Sequence, residues 1–389
     1  MSSVSVHIVA ARRSAIGRLG GVFATLPAQQ LGAAVLKAVL ADSGLAPALI
    51  DEVIMGQVLG AGGGMNPARQ AARGAGLPDA CTAFGVNQVC GSGLRAVALA
   101  AQQIQCGDAA AVLAGGHESM SQAPHLALLR PGRKLGDVAL HDSVLRDGLT
   151  DAFHDCAMGV TVQALAQRLG ITREAQDAFA LQSQQRAVLA QAAGSFSAEI
   201  VPVSVGTGMV LHDEAPRADS SLARLAQLAP AFADNGSVTA GNASGINDGA
   251  AALLLVSEHL LERQQLPSLA RVVAWATAGV APMDMGLGPV PAVHKALQRA
   301  GWSRDSVDLW EINEAFAAQA LAVVQTLQLD AARVNINGGA IALGHPIGAS
   351  GARILVSLLH ALQARGLQRG VASLCIGGGM GIALCVERT

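Results

Sequence analysis

The stretch Phe84-Gly85-Val86-Asn87-Gln88-Val89-Cys90-Gly91-Ser92-Gly93-Leu94, read on through Gly107 to Ala114-Gly115-Gly116, sets the fold class. A strand-like run from Phe84 to Cys90 is cut by Gly91-Ser92-Gly93. Leu94, Val97, Ala98, Ala101 and Ile104 then share one face of a helix that Gly107 is placed to end. Ala109 to Ala114 is apolar without alternation, as in a strand covered on both faces. The same order recurs near the C-terminus. Gly348-Ala349-Ser350-Gly351 opens a helix through His360, Val371 to Ile376 is a buried strand, and Gly377-Gly378-Gly379-Met380-Gly381 turns it into Ile382 to Val386. Two copies of one α/β unit are expected.

Outward from these anchors, Leu31, Val35, Leu36 and Val39 mark a helix closed near Ser43-Gly44, Val53 to Met55 a strand, and Asn66 to Gly74 a small-residue helix. From Ser121 to about Asn242 the chain carries many charges, several Pro and Gly breaks and an amphipathic helix at 173–193, an excursion that reads as a lid or loop domain. Ala250 to Leu261 returns to the first core and Leu269 to Trp275 begins a new strand. Val307 to Trp310 and Glu314 to Leu327 follow as strand and helix. The expected parts are an N-terminal half at 1–120, an insertion at 121–244, a return at 245–268 and a C-terminal half at 269–389.

With 389 residues, 51% hydrophobic and 14% charged, the chain suits two or three domains with large cores and excludes disorder as its main theme. A formal net charge of −2 gives no field to hold nucleic acid or an anionic membrane. Mean hydropathy is +0.40, yet no run approaches the roughly 18 apolar residues of a spanning helix. Arg12 and Arg13 follow the first apolar stretch, unlike a signal peptide, so a cytoplasmic protein is expected. The cysteines at 81, 90, 106, 156, 375 and 385 form no CxxC, which argues against a disulfide framework and against any metal. No GxxxxGK[ST] is present to hold ATP.

Four places can carry chemistry. A thiol at Cys90, between strand and helix, would meet unpaired N–H groups and the helix dipole, which favour thiolate. It reads equally as a small core residue. Gly91 to Ala96 also fits a relaxed dinucleotide-binding pattern, but the acidic residue due about 20 positions on is missing. His345, held between Gly344 and Pro346 ahead of a helix, is either a structural imidazole or one aimed at a cleft. Cys375 ends a buried strand before three glycines, where open α/β sheets place ligands. Asn313-Glu314 reads first as a helix cap with an acidic first turn.

Together with Gly115 to Pro124 and Thr239 to Gly249, these stretches make the chain resemble the thiolase family over nearly its whole length. That resemblance implies a thiolase-like fold of duplicated α/β halves, layered α-β-α-β-α, and reversible Claisen condensation of acyl-CoA thioesters. On it, Cys90 carries the acyl group and His345 takes its proton. Cys375 is the acid/base at the α-carbon. Asn313 holds a water at the enolate oxygen, and the N–H groups of Cys90 and Gly377 form an oxyanion hole. CoA would contact Ser244, Ala315, Leu149, Met158 and Phe316, with Arg217 near the nucleotide. It further implies CoA and acyl-CoA as partners, no bound cofactor, a homotetramer built as a dimer of dimers, and a place in fatty acid metabolism such as β-oxidation.

The chain departs from the family at Cys156-Ala157-Met158-Gly159, where many biosynthetic members have His before Met-Gly. The smaller Ala157 would leave room for a longer acyl chain. No tyrosine occurs anywhere, so none lines the CoA mouth. A ketoacyl synthase would use a second histidine where Cys375 stands, and a non-catalytic acyl-CoA or lipid carrier should have lost one of Cys90, Asn313, His345 and Cys375.

Overall fold

Apolar runs without alternation pair into one central sheet. The computed structural model describes residues 4–132 and 134–389; Met1–Ser3, at the head of the expected N-terminal half, and Arg133 lie outside them. The strands that build the sheet are β1 (Val6–Ser14), β2 (Glu52–Gly56), β3 (Thr82–Val86), β4 (Ala111–Ser119), β5 (Asn247–Ser257), β6 (Ala270–Gly279), β7 (Leu309–Ile312), β8 (Arg369–Ile376) and β9 (Met380–Glu387). Helices α1 (Ala28–Ser43), α2 (Pro67–Gly74), α3 (Ser92–Cys106), α4 (Met158–Leu169), α5 (Arg173–Ala192), α6 (Pro289–Ala300), α7 (Ala317–Thr326) and α8 (Ser350–Arg365) run between them. The spatial order is β7-β8-β9-β6-β1-β5-β4-β2-β3.

The duplication is visible in the pairing. In the first half β2 lies parallel to β4, β4 antiparallel to β5, and β5 antiparallel to β1. In the second half β7 lies parallel to β8, β8 antiparallel to β9, and β9 antiparallel to β6. The halves join along β1 and β6 through only His7↔Arg271 and Ile8↔Ala270. Three large apolar cores pack the layers together. α1 and α2 cover one sheet half, α6 and α7 the other, and α3 with α8 fill the space between the two halves.

α3 and α8 start against each other, and glycine permits it. A Cβ on Gly351 would lie 2.3 Å from the Leu94 backbone nitrogen, and one on Gly93 would lie 2.8 Å from that of Ala352. The two Gly-containing helix starts of the repeat therefore meet at one point, between the C-terminal ends of β4 and β8.

The structure redraws several expected boundaries. The strand expected to reach Cys90 ends at Val86, leaving Asn87–Cys90 as a turn. The run 250–261 is strand only to Ser257, whose hydroxyl then accepts from the Leu260 N–H to start a helix, Glu258–Gln264. α7 starts at Ala317, so Asn313 caps nothing; Glu314 is buried and bonded to Ser183 and Asn335 instead. The long excursion is pinned to the sheet. Ile200–Val201 pairs with β1, and the fully buried Arg13 of β1 bonds Glu199 at 2.6 Å and Asp213 at 2.7 and 2.9 Å. Among the described residues no helix is long and apolar enough to cross a membrane.

Candidate active site

The turn that presents Cys90 is a strained one. Val89 has φ +47°, a left-handed conformation that is unfavourable for a β-branched residue and is held only by surrounding bonds. Asn87 Oδ1 accepts from the Val89 N–H at 2.9 Å. Ser92 Oγ accepts from the Gln88 N–H at 2.8 Å and donates to the Val89 carbonyl at 2.6 Å. The turn thus lifts Cys90 to the head of α3. The backbone N–H groups of Gly377 and of Cys90 itself lie near enough to its sulfur to favour thiolate. The expected fall in thiol pKa is not realised. Burial outweighs both donors, and the thiol is pushed up to about 11.

His345 is oriented on three sides. Its backbone N–H donates to Asn247 Oδ1 at 2.9 Å, while Asn247 Nδ2 donates to the Gly17 carbonyl at 2.9 Å. Its Nδ1 lies 2.5 Å from Ser350 Oγ, and that hydroxyl also lies 2.9 Å from the Pro346 carbonyl. A carbonyl only accepts, so the single hydroxyl proton goes to Pro346 and His345 Nδ1 must be the donor to Ser350. Nε2 is then left as a bare lone pair. Asn313 Nδ2 approaches it at 3.4 Å. Burial, and secondarily Arg353, hold the imidazole neutral, with its pKa lowered to about 3. A neutral imidazole whose Nε2 carries no proton and meets only the long contact from Asn313 is a base ready to receive one.

Cys375 ends β8 and is buried. Its thiol is driven above the ordinary cysteine range, first by burial and then by the proximity of Cys90. Cys90, Cys375, His345 and Gly377 line one cavity of about 430 Å³, together with Ser244, Ala315, Leu149, Met158 and Phe316. Ser244 is fixed there by its hydroxyl and N–H, which both donate to the Ala315 carbonyl, at 2.9 and 3.0 Å. Phe232 and Phe316 meet edge to face at 6.1 Å to form an aromatic wall. Ala157 also faces the cavity.

Two expected residues lie elsewhere. Asn313 is fully buried behind His345 and not on the cavity wall. Arg217 lines a neighbouring cleft of about 800 Å³, with Arg18 and Arg224, that shares Ala240, Ala243, Gly245 and Ile246 with the catalytic cavity. Among the described residues no cluster of His, Cys, Asp and Glu is arranged to hold a metal ion.

Sequence reasoning assigned no chemical role to Asn247, Ser350 or Glu118, although all three sit inside quoted stretches. Glu118, at the end of β4, accepts from Val58 at 3.0 Å, Leu59 at 3.2 Å and Gly348 at 2.9 Å, tying the loop after β2 to the loop that carries His345. Burial lifts its carboxyl to about 7 against these donors. The signal was a charged residue, between His117 and Ser119, closing a strand that is apolar up to Gly116.

Two family profiles match the chain, "Thiolase, N-terminal domain" over residues 6–259 and "Thiolase, C-terminal domain" over residues 266–388. An acetyl-CoA acetyltransferase of Rhizobium meliloti is 56% identical over the full length of both chains. A cytosolic acetyl-CoA acetyltransferase of Mus musculus is 53% identical over 98% of each. The crystal structure of the Bacillus anthracis acetyl-CoA acetyltransferase superposes with a TM-score of 0.97 at 45% identity, covering 100% of this chain and 99% of that one.

Proposed function

From the premise that the chain belongs to the thiolase family, we propose that it is an acetyl-CoA C-acetyltransferase, joining two acetyl-CoA units to acetoacetyl-CoA and CoA, and running the reverse thiolysis. The observation that carries this reading is the convergence of two thiols, a neutral imidazole and the Gly377 N–H on one cavity.

Cys90 attacks the thioester carbonyl while its proton passes to His345 Nε2. The N–H groups of Cys90 and Gly377, already turned toward the sulfur, take up the oxyanion of the tetrahedral intermediate. The carbon–sulfur bond to CoA breaks, CoA leaves as its thiol with the proton from His345, and acyl-Cys90 remains. In the second half Cys375 passes its thiol proton to His345 Nε2, and the thiolate so formed removes the α-proton of the incoming acetyl-CoA. The enolate oxygen is held by the Nε2–H of the now protonated His345 and, through a water, by Asn313. The carbanion attacks the acyl carbonyl and expels Cys90. The expelled Cys90 thiolate takes the proton held on His345, Cys375 keeps the α-proton, and both thiols and the neutral imidazole are restored. A high thiol pKa suits this second role, because a strong base is needed at an α-carbon and in thiolysis the same group must give that proton back.

CoA binds with its pantetheine against Ser244 and its nucleotide in the cleft of Arg18, Arg217 and Arg224, and needs no further cofactor. The protein acts in the cytoplasm as a homotetramer, and Ala157 extends the acyl range past four carbons, as a role in β-oxidation requires. Steady-state thiolysis of 3-ketoacyl-CoAs of graded length tests this. We expect turnover of the four- and six-carbon substrates, and Ala157→His should remove the longer one selectively. Turnover confined to four carbons in both proteins would refute the widened pocket. Cys90→Ser should form no acyl-enzyme, whereas Cys375→Ser should acylate and stall; equal labelling of both variants would overturn the assignment of roles.

A further inference from the structure

Arg353, one turn into α8 beyond Ser350, is a fully buried cation with an unusual set of neighbours. Its Nη2 donates to Asn313 Oδ1 at 3.5 Å. The nearest carboxylate, on Glu311 of β7, stands 3.9 Å from Nη1, beyond a hydrogen bond. Nε and Nη1 have no hydrogen-bond partner among the described residues. The other charges facing it come from separate elements: Glu199 from the excursion, Glu314 before α7 and Arg13 on β1. Arg13 already engages Glu199 with its own guanidinium. The Glu311 ion pair is long and carries no hydrogen bond, and the one directed bond of Arg353 runs to the Asn313 amide.

A guanidinium has donors and no acceptor, so only the oxygen of the Asn313 amide can face it. The amide NH₂ is then turned to the opposite side, toward His345 Nε2 and the cavity. With the amide reversed, NH₂ would abut guanidinium N–H and the carbonyl would face the Nε2 lone pair, two repulsive contacts among buried groups. A cation bound to the amide oxygen also draws electron density from the nitrogen and strengthens its N–H as a donor.

We propose that Arg353 is a positioning residue that acts through Asn313, locking its amide with NH₂ toward the site where the enolate oxygen forms. This rests on the proposed thiolase reaction, and it assigns Arg353 to the condensation half alone. Acyl transfer to Cys90 uses the N–H groups of Cys90 and Gly377, which Arg353 does not touch.

A double-mutant cycle between Arg353→Met and Asn313→Ala tests it, read on two assays: labelled acyl-Cys90 formed from acetyl-CoA, and condensation kcat. Removing one oxyanion donor costs about 10²–10³ in kcat, so loss of its orientation should lower condensation kcat about 10-fold or more, with KM and the acyl-enzyme yield nearly unchanged. In the Asn313→Ala background the same Arg353 substitution should cost nothing further. Arg353→Gln, which keeps a donor for Oδ1, should recover part of the loss and serves where the Met variant does not fold. Equal loss in both half-reactions, or an Arg353→Met penalty that persists undiminished without Asn313, would overturn the inference. Failure of the native protein to condense or thiolyse at all would instead overturn the thiolase reading on which it rests.

Discussion

At Cys90 two influences oppose each other, and their balance sets how the thiol reacts at rest. Backbone N–H groups favour thiolate, but enclosure by protein removes more solvation than they return, so the group stays protonated up to about 11. His345, lowered to about 3, does not titrate anywhere near this range. Alkylation of the free protein by iodoacetamide at Cys90 should therefore climb about tenfold per pH unit between roughly pH 7 and 10, because only the thiolate reacts. Mass spectrometry of the modified peptide measures this, and a plateau below pH 8 would show that the dipole and donors win after all. The position of Cys90 beside a glycine turn was legible in sequence. The sign of its shift was not, because burial depth is set by β8 and the Gly377 turn, nearly 300 residues away. Nor was the left-handed Val89, since nothing local marks a valine for that conformation; its braces, Asn87 and Ser92, are legible only as polar residues near a turn.

The two central helices show what the glycines of a repeated motif are for. Read along the chain, Gly93 and Gly351 look like turn residues that open a helix. In space each is a point where one helix backbone rests on the other. Helix α3, α8 and the strands before and after them were readable because their apolar period is unbroken, whereas the start of α7 was misplaced because Glu314 serves tertiary bonds and not a helix cap. Gly351→Ala should cost about 3 kcal/mol or more, since the clash is with backbone that cannot move aside. Gly366→Ala, at a left-handed C-cap with φ +64° and open space around it, should cost only about 1 kcal/mol. Chemical denaturation of the two variants compares them directly, and a Gly351→Ala penalty no larger than that of Gly366→Ala would refute close helix approach as the constraint.

Across the whole molecule, buried titratable groups make stability depend on pH in a direction that can be worked out. The duplicated half-sheets were legible as a repeat, but their stacking about α3 and α8, which buries so many ionisable groups at the centre, is a tertiary outcome with no local trace. Glu118 and Glu311 are lifted by burial from 4.5 to about 7 and about 8, and Glu314 and Asp248 are raised as well. In these windows the folded chain keeps protons that the unfolded chain has lost, so stability falls as pH rises. His117 and His345 act in the opposite sense. They are lowered from 6.5 to about 4 and about 3, so the unfolded chain binds the extra protons and stability rises with pH until about 6.5. Between pH 4.5 and 6.5 the two sets offset each other. From about 6.5 to 8 only the acids act, and above that the raised thiols of Cys81, Cys90, Cys375 and Cys385 continue the decline. The melting temperature at fixed ionic strength should therefore change little up to about pH 6.5 and fall from there to pH 8, with a smaller fall in Glu311→Gln, which removes the carboxyl that titrates highest. A melting temperature that stays flat between pH 6.5 and 8 would mean that these carboxyls are already ionised in the folded protein, with Glu311 charged beside Arg353.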